Sequence, residues 1–269
     1  MAIICKRCGR QYDVTLFQFG RTIRCDCGEN VTQGAETVPG GVAVESESAG
    51  LGYLTPPSPD NLFLYVIRHG TTVWNQSGRI QGQQDIELSD EGRAEAERTR
   101  DVLAAVPFEG AYTSDLRRSA ETAEIILRGR GLPLFKTPDL REEDYGAWSG
   151  KTYAEIARRW PDQCEARERD RVNSHPEGGE SLGELRARVI AKLDEIARTC
   201  RRGNVLVVTH GGPVFVFVSH VMDPGGELRG NFTVRNCAIN IVALTRFGWK
   251  LQVLNDTCHL KQCQMSESE

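Results

Sequence analysis

The chain has 269 residues and a nearly balanced charge, with 33 Lys and Arg against 37 Asp and Glu and a net charge of −4. This balance gives no global attraction to nucleic acid or to an anionic membrane, and no apolar stretch approaches membrane-spanning length. The nine cysteines are an odd number without disulfide-like spacing, and no charged segment followed by an apolar run opens the sequence. We therefore expect a cytoplasmic protein that does not engage a membrane.

An apolar run at residues 62–67 is followed directly by Arg68, His69 and Gly70. The run predicts a buried strand, because it is short, continuous and rich in β-forming residues. In an open α/β sheet, ligands bind in the crevice beyond the carboxyl ends of the strands. An arginine and a histidine at this point are therefore candidates for ligand binding or catalysis, and a surface turn is the alternative.

The same arrangement occurs again late in the chain. Residues 205–208 are apolar, and after one threonine they lead to His210, Gly211, Gly212 and Pro213. Pro213 is expected at the first position of a helix, and the two glycines let the backbone pass close to a ligand at the positive end of that helix. Such a site suits an anion, and phosphate is the anion we expect.

From residue 61 to about residue 260 the sequence resembles the histidine phosphatase superfamily, the phosphoglycerate-mutase-like group with an Arg-His-Gly after the first strand. Further segments match in order: Gly78-Arg79, Gln81-Gly82, Leu88-Ser89, Gly92, residues 114–119, Glu121-Thr122-Ala123, Leu140-Arg141-Glu142, Tyr145-Gly146 and residues 178–182. The resemblance implies an α/β fold of three layers, with a mostly parallel sheet and helices on both faces. It also implies phosphoryl chemistry that requires no cofactor.

The resemblance assigns roles by motif position. His69 is the nucleophile that becomes phosphorylated, and Glu142 is the general acid. Arg68, Arg118 and His210 belong to the catalytic group, because their donors match the oxygens of a transferring phosphoryl group. The residues expected to bind phosphate or substrate are Arg68, Asn75, Arg118, Tyr145, His210 and Gly211.

Arg118 has a rival in its neighbour Arg117. The strand-like residues 111–113 precede Ser114, which is expected to cap the following helix. The family spacing of four residues after Ser114 selects Arg118, and the adjacent residue on a helix points elsewhere.

Glu142 stands first in a run of three acids with Glu143 and Asp144. Such a run is typical of a solvated loop face. The match to Leu-Arg-Glu, with Tyr-Gly three residues later, favours Glu142 as the acid. A carboxyl group close to other carboxylates can have a raised pKa, which would help it to hold a proton.

Strands are predicted near residues 62–67, 110–113, 205–209, 238–244 and 249–254, alternating with helices. Two capping boxes mark helix starts: Thr152 with Glu155, and Ser181 with Glu184. The helix after Ser181 is expected to pack in the core through residues at helical spacing, namely Leu182, Leu185, Val189, Leu193 and Ile196.

Hydrolysis and phosphoglycerate-mutase-type transfer are alternatives within the resemblance. Tyr153 stands where the mutases carry a lysine, and the segment at residues 160–176 is short beside their insertion. Its three arginines, Arg167, Arg169 and Arg171, alternate with acids and predict a solvated helix face, with a clamp for an acidic substrate as the second interpretation. Hydrolysis of a small phosphorylated metabolite or a phosphoprotein is therefore expected. Thr71 departs from many relatives, which have an acidic residue there.

The first thirty residues carry two close pairs of thiols and resemble a zinc ribbon. The residues that would bind a structural Zn²⁺ are Cys5, Cys8, Cys25 and Cys27. The second pair has one intervening residue where ribbons usually have two, and chance cysteines in a tail or a redox pair are the alternatives. A scaffold whose ribbon contacts a protein or nucleic acid is a further alternative function, although the net charge does not support nucleic-acid binding.

These observations predict four parts of the chain. Residues 1–31 form the ribbon-like segment, and residues 32–60, rich in Gly, Pro, Ser and Glu, form a flexible linker. Residues 61–262 form the phosphatase domain, and residues 263–269 form a polar tail.

Overall fold

The structure is a computed structural model that describes residues 60–225 and 232–260, together with the backbone of four short strands near the start of the chain. The chain divides into two compact units, Met1–Ala49 and Gly50–Glu269. The four cysteines predicted to bind Zn²⁺ lie outside the described residues.

The first unit contains two antiparallel hairpins. β1 (Ala2–Ile4) pairs with β2 (Gln11–Asp13), and β3 (Thr22–Arg24) pairs with β4 (Asn30–Thr32). In the sequence, one pair of the ribbon cysteines falls between β1 and β2, and the other pair falls between β3 and β4. Each pair therefore belongs to the connection within one hairpin.

The second unit alternates strands and helices. Its strands are β5 (Leu62–Arg68), β6 (Phe108–Ser114), β7 (Leu134–Thr137), β8 (Gly203–Thr209), β9 (Ile239–Thr245) and β10 (Gly248–Asp256). Its α-helices are α1 (Val73–Gln76), α2 (Asp90–Val102), α3 (Arg117–Ile126), α4 (Tyr153–Arg159), α5 (Pro161–Arg169), α6 (Leu182–Cys200) and α7 (Gly211–Met222). Short 3₁₀ helices cover Pro138–Leu140, Gly146–Trp148 and Cys258–Leu260. Among the described residues, no helix is long and apolar enough to cross a membrane.

The six strands form one mixed sheet in the order β10-β9-β5-β8-β6-β7. β8 pairs parallel with both β5 and β6, and β6 pairs parallel with β7. β9 pairs antiparallel with both β5 and β10. Only β9 therefore runs against the other strands. β7 lies outside the predicted strands, because this four-residue edge strand has only a weak apolar pattern.

Alternate side chains of β5 enter two separate cores, which shows that helices cover both faces of the sheet. Leu62, Leu64 and Val66 pack with residues of α6 and α7, whereas Phe63, Tyr65 and Ile67 pack with residues of α3 and with the segment after α2. The five apolar residues predicted to lie on the core face of α6 are all buried. Because both faces of β5 are covered, only its carboxyl end is open to a ligand.

Both predicted capping boxes are present. The Thr152 side chain accepts from the Glu155 N–H, and the Ser181 side chain accepts from the Glu184 N–H. A similar box, which the sequence analysis had not singled out, starts α1 with Thr72.

The structure corrects two helix starts. Ser114 is the last residue of β6 rather than a cap, and α3 begins at Arg117 with Leu116 as an N-cap that makes no side-chain hydrogen bond. Pro213 is the third residue of α7, not the first. Proline is tolerated there because none of the first four N–H groups of a helix has an intrahelical partner.

Candidate active site

The two His-Gly segments meet because β5 and β8 are parallel neighbours in the sheet. Arg68 lies opposite Thr209, and the His69 N–H donates to the Thr209 carbonyl at 2.8 Å. The next residue on each strand is therefore a histidine. The ring centroids of His69 and His210 are 5.1 Å apart, and both side chains are buried.

A cavity of about 280 Å³ lies at this edge of the sheet. Its described lining comprises Arg68, His69, Asn75, Gly78, Arg79, Ile80, Gln81, Gly82, Arg118, Glu142, Tyr145 and Tyr153. His210 lies behind this lining, against the ring of His69. Six of the eight residues to which the sequence assigned a role in catalysis or phosphate binding line this cavity. His210 contacts His69, and the backbone of Gly211 contacts Glu142.

The imidazole of His69 is held in one orientation. Nδ1 lies 2.7 Å from the Gly70 carbonyl oxygen, which can only accept, so Nδ1 carries the proton. Nε2 then has its lone pair, and it accepts from Arg118 Nε at 3.3 Å. Burial lowers the pKa of His69 well below its ordinary value, and the charges of Arg118 and Arg68 lower this pKa further. His69 is therefore neutral at physiological pH.

Arg118 is fully buried, and its guanidinium is fixed by the backbone. Nη1 donates to the Gln84 carbonyl and Nη2 to the Gly82 carbonyl, each at 2.7 Å. Burial lowers the pKa of Arg118 to about 10, so the group remains charged at neutral pH. Arg117, its rival in the sequence, faces solvent and pairs with Glu87.

Arg68 and His210 both have unused hydrogen-bonding capacity. Arg68 Nη1 donates to the Val234 carbonyl at 2.5 Å, whereas its buried Nε has no partner among the described residues. Neither ring nitrogen of the buried His210 has a partner within the same part of the chain. Burial, together with nearby cations, lowers the pKa of His210 well below its ordinary value. Unpaired buried polar groups at one site are typical of a site that binds a polar ligand.

The side-chain amide of Asn75 has its oxygen turned away from the reacting groups. Oδ1 accepts from the backbone N–H and the hydroxyl of Thr72, both at 3.1 Å. Asn236, whose Nδ2 also donates to the His69 carbonyl at 2.8 Å, contacts the same oxygen. This arrangement leaves Asn75 Nδ2 as the atom that can donate to a ligand in the cavity.

The Glu142 carboxylate lies at the start of α7. Its oxygens accept from the N–H groups of Glu143, Gly211 and Gly212 at 2.9, 3.1 and 2.9 Å. A Cβ atom at position 212 would lie only 2.4 Å from Glu142 Oε1, so a larger residue there would displace the carboxylate from its present position. The positive end of the helix is thus used by a carboxylate of the protein. The contact between Gly211 and phosphate stays a prediction.

The structure corrects the interpretation of the neighbouring acids and of Arg167. Glu143 is completely buried, not solvated, and its side chain forms an ion pair with Arg167 of α5. The Arg167 guanidinium lies over the rings of Tyr145 and Trp148. Burial raises the pKa of Glu143 to about 7, because the loss of hydration outweighs the attraction of Arg167. The expected solvated pattern does hold for Arg169, which is exposed with Glu165.

Arg188 was not singled out in the sequence, yet it organises the segment that carries Glu142. From α6 its guanidinium donates to the carbonyls of Asp139, Arg141 and Glu142 at 2.8 to 2.9 Å, and it pairs with the Glu180 carboxylate. Glu180 also accepts from the Asp144 N–H at 2.9 Å. Nothing local in the sequence marks Arg188, because its partners are 46 or more residues away, apart from Glu180.

Glu95 contacts Thr71, the residue that follows the Arg-His-Gly motif. Its carboxylate accepts from the Thr71 N–H at 2.8 Å and from the Thr71 hydroxyl at 3.0 Å. The loop after His69 is therefore tied to α2 by a carboxylate from another part of the chain. A second, larger cavity of about 470 Å³ lies beside this contact, but His69 and Glu142 do not line it.

The described residues contain no group of three or more His, Cys, Asp or Glu side chains arranged to hold a metal ion. The cysteines expected to bind Zn²⁺ fall outside that part of the chain.

Comparisons with known proteins agree with this geometry. The profile of the histidine phosphatase superfamily (branch 1) matches residues 64–257. Phosphoglycerate mutase-like protein 4 of Arabidopsis thaliana is 32% identical over 209 residues, which are 76% of this chain and 90% of that protein. The metal-independent phosphoserine phosphatase of Arabidopsis thaliana is 31% identical over 203 residues, 73% of this chain and 82% of that protein.

A solved structure, Bacillus stearothermophilus YhfR, superposes with a TM-score of 0.70 at 31% identity and covers 74% of this chain and 100% of its own. The matched range includes both His-Gly segments, Arg118 and Glu142. The sequence match and the shared fold lead to one conclusion: this chain belongs to the histidine phosphatase superfamily.

Proposed function

We propose that the protein hydrolyses phosphomonoesters through a phosphohistidine formed on His69. The observation that carries this proposal is the state of the His69 imidazole. Its Nδ1 is fixed by the Gly70 carbonyl, and its neutral Nε2 lies beside the Arg118 guanidinium at the cavity. A neutral nitrogen attacks phosphorus without first losing a proton, which makes it a competent nucleophile at neutral pH.

The phosphoryl group is proposed to bind between Arg68 and Arg118. Arg118 uses three of its five N–H groups in the contacts described, which leaves two for phosphoryl oxygens. Asn75 Nδ2 and the N–H of the neutral His210 imidazole, whose ring nitrogens have no partner among the described residues, supply further donors. Fixed donors in a buried site stabilise the charge of a transferring phosphoryl group more than donors in water do.

The reaction is proposed to take two steps. In the first, the Nε2 lone pair of His69 forms a bond to phosphorus, the ester P–O bond breaks, and Glu142 in its protonated form gives its proton to the leaving oxygen. In the second, water attacks phosphorus and gives a proton to the Glu142 carboxylate, and the electron pair of the N–P bond returns to Nε2. The products are an alcohol and inorganic phosphate.

The test is release of inorganic phosphate from a panel of phosphomonoesters and phosphoproteins by the full chain and by His69→Ala. We expect turnover by the wild type, loss of at least about 10³-fold in His69→Ala, and an acid-labile phosphoenzyme only in the wild type. Transfer of the phosphoryl group to an added alcohol in place of water would support mutase-type chemistry instead. No turnover across the panel would support a scaffold that only binds phosphate.

We also propose that Cys5, Cys8, Cys25 and Cys27 hold a structural Zn²⁺. The support is that each pair of thiols falls between the two strands of one hairpin, and four thiolates in two close pairs suit tetrahedral coordination. Metal analysis of protein prepared without chelator should find about one zinc per chain, given the affinity of such sites. Cys5→Ser with Cys8→Ser should lose it, and Cys164→Ser, which changes a free thiol in α5, should retain it.

A further inference from the structure

We propose that the substrate of this site is the phosphate ester of an uncharged alcohol that carries a hydroxyl group, rather than the phosphate ester of a carboxylate. This inference rests on the proposed function and concerns the part of the cavity that faces the leaving alcohol. Its basis is the charge, the hydrogen bonds and the exposure of Arg79, Gln81 and Tyr153, none of which has a role in the reaction steps above.

The positive charge of Arg79 is already matched within the protein. Its Nη1 donates to the Glu155 carboxylate at 3.1 Å and to the Gly150 carbonyl at 2.7 Å. Glu155 is itself fixed, because it accepts from the Thr152 N–H at 2.8 Å in the capping box of α4. Hydrogen bonds to Thr152, and the charge of Arg79, lower the pKa of Glu155, so the acid stays ionised. The pair is therefore neutral as a whole.

With that pair neutralised, Arg68 and Arg118 are the remaining cations among the described residues that line the cavity. Both lie at His69, where the proposed phosphoryl group binds. With respect to the described residues, a substrate carboxylate would therefore lose hydration in this cavity without gaining a cation of its own.

Gln81 supplies a neutral polar group to the same wall. The residue is 8% exposed, and its Oε1 has no hydrogen-bond partner among the described residues. Gln81 lines the cavity with an amide, which offers both a donor and an acceptor to a hydroxyl group of the substrate. The amide is uncharged, so it cannot neutralise a substrate carboxylate.

Tyr153 completes the wall at the cavity mouth, where it is 72% exposed. Its ring offers an uncharged surface on which the carbon skeleton of an alcohol can pack. The neutral ion pair, the amide and the ring together favour an uncharged, hydroxylated leaving group.

Three phosphate esters of one size test this inference: glycerol 3-phosphate, 3-phosphoglycerate and propyl phosphate. The first two differ chiefly by a hydroxymethyl group against a carboxylate, and the third lacks both. We expect the wild type to have a kcat/KM for glycerol 3-phosphate at least about tenfold above that for 3-phosphoglycerate, and about fivefold above that for propyl phosphate.

Two variants make the test independent of overall activity. Tyr153→Lys places a cation at the cavity mouth. It should raise the ratio of kcat/KM for 3-phosphoglycerate to kcat/KM for glycerol 3-phosphate at least about fivefold. Gln81→Leu should lower the kcat/KM for glycerol 3-phosphate to the value measured for propyl phosphate. The matched control is Phe247→Lys, an equivalent change at a residue that is 73% exposed in the turn between β9 and β10, and it should leave all ratios unchanged.

The outcomes separate this inference from the proposed function. Hydrolysis with a preference for 3-phosphoglycerate, or ratios that do not respond to Tyr153→Lys, would overturn the inference while phosphatase activity stands. If none of the three esters, nor any ester of the wider panel, is hydrolysed by the wild type, the proposed function fails, and the inference fails with it.

Discussion

The chemistry of this site depends on histidines that stay neutral. Burial, with help from Arg118 and Arg68, lowers the pKa of both His69 and His210 well below the ordinary value near 6.5. We expect the ring signals of both residues, followed by NMR in the ligand-free protein, to remain those of neutral imidazole from about pH 6 to pH 8. The ring signals of His69 are assigned because they are absent from the spectrum of His69→Asn, and those of His210 because they are absent from the spectrum of His210→Asn. A titration midpoint near 6.5 for either residue would contradict the structure.

The two adjacent arginines provide a second test with a built-in control. Arg118 holds two backbone carbonyls and His69 with one planar guanidinium, a geometry that lysine cannot reproduce. Arg118→Lys should lower kcat/KM by about 10²-fold, as expected when one donor to a transferring phosphoryl group is lost. Arg117→Lys changes an exposed neighbour and should stay within about twofold of wild type. Equal effects of the two substitutions on kcat/KM would contradict the assignment of Arg118 as a phosphate-binding residue.

Helix α6 holds the segment that carries Glu142, the proposed general acid. Arg188 is the only residue of this helix within the described range that donates to the Glu142 carbonyl, and its pairing with Glu180 fixes the same segment. In Arg188→Lys we expect kcat/KM for an alkyl phosphate to drop at least about tenfold, because an alkoxide needs the proton of Glu142 to leave. The kcat/KM of the same variant for p-nitrophenyl phosphate, whose phenolate leaves without a proton, should fall less than about threefold.

The control for this prediction lies on the same helix. Arg198→Lys changes an exposed arginine near the end of α6 and should affect neither ester. A uniform loss of activity on both esters in Arg188→Lys would mean that Arg188 contributes only to folding, and would remove its positioning role.

The stability of the second unit should depend on pH through Glu143. Its pKa is raised by burial from 4.5 to about 7, so the folded protein binds a proton that the unfolded chain releases between these values. The free energy of unfolding contributed by Glu143 is therefore fully present below about pH 4.5 and is lost as pH rises to about 7, a change on the order of 3 kcal/mol.

Glu143→Gln isolates this contribution. The variant keeps the volume of the side chain and a carbonyl oxygen for Arg167, but it cannot titrate. Urea unfolding from pH 4.5 to pH 7.5 should show wild type losing stability relative to Glu143→Gln across this interval, with no further divergence above it. Parallel pH profiles would show that Glu143 is not protonated in the folded state.

The sequence by itself determined the alternation of strands and helices, the core face of α6 and the capping boxes. These features are local: apolar spacing, strand-forming residues and side chains that bond three positions along the chain produce them. Family membership followed from ordered motifs, and the superfamily match and the shared fold confirm it. The end of β6 and the start of α7 were misplaced, because pairing across the sheet extends one element and the helix tolerates proline in its first turn.

Only the tertiary structure decided how the site is built. It showed that Glu143 and Arg167 form a buried ion pair, although both belong to charged runs that predict solvated surface. It also identified Arg188, Glu95 and Asn236 as residues that hold the segments of the candidate site. The physical reason is that burial and hydrogen bonding between residues distant in sequence depend on sheet order and helix packing. The Arg-His-Gly motif located the proposed nucleophile, and the packing around it fixed the proton on Nδ1 and left on Nε2 a lone pair that accepts from Arg118.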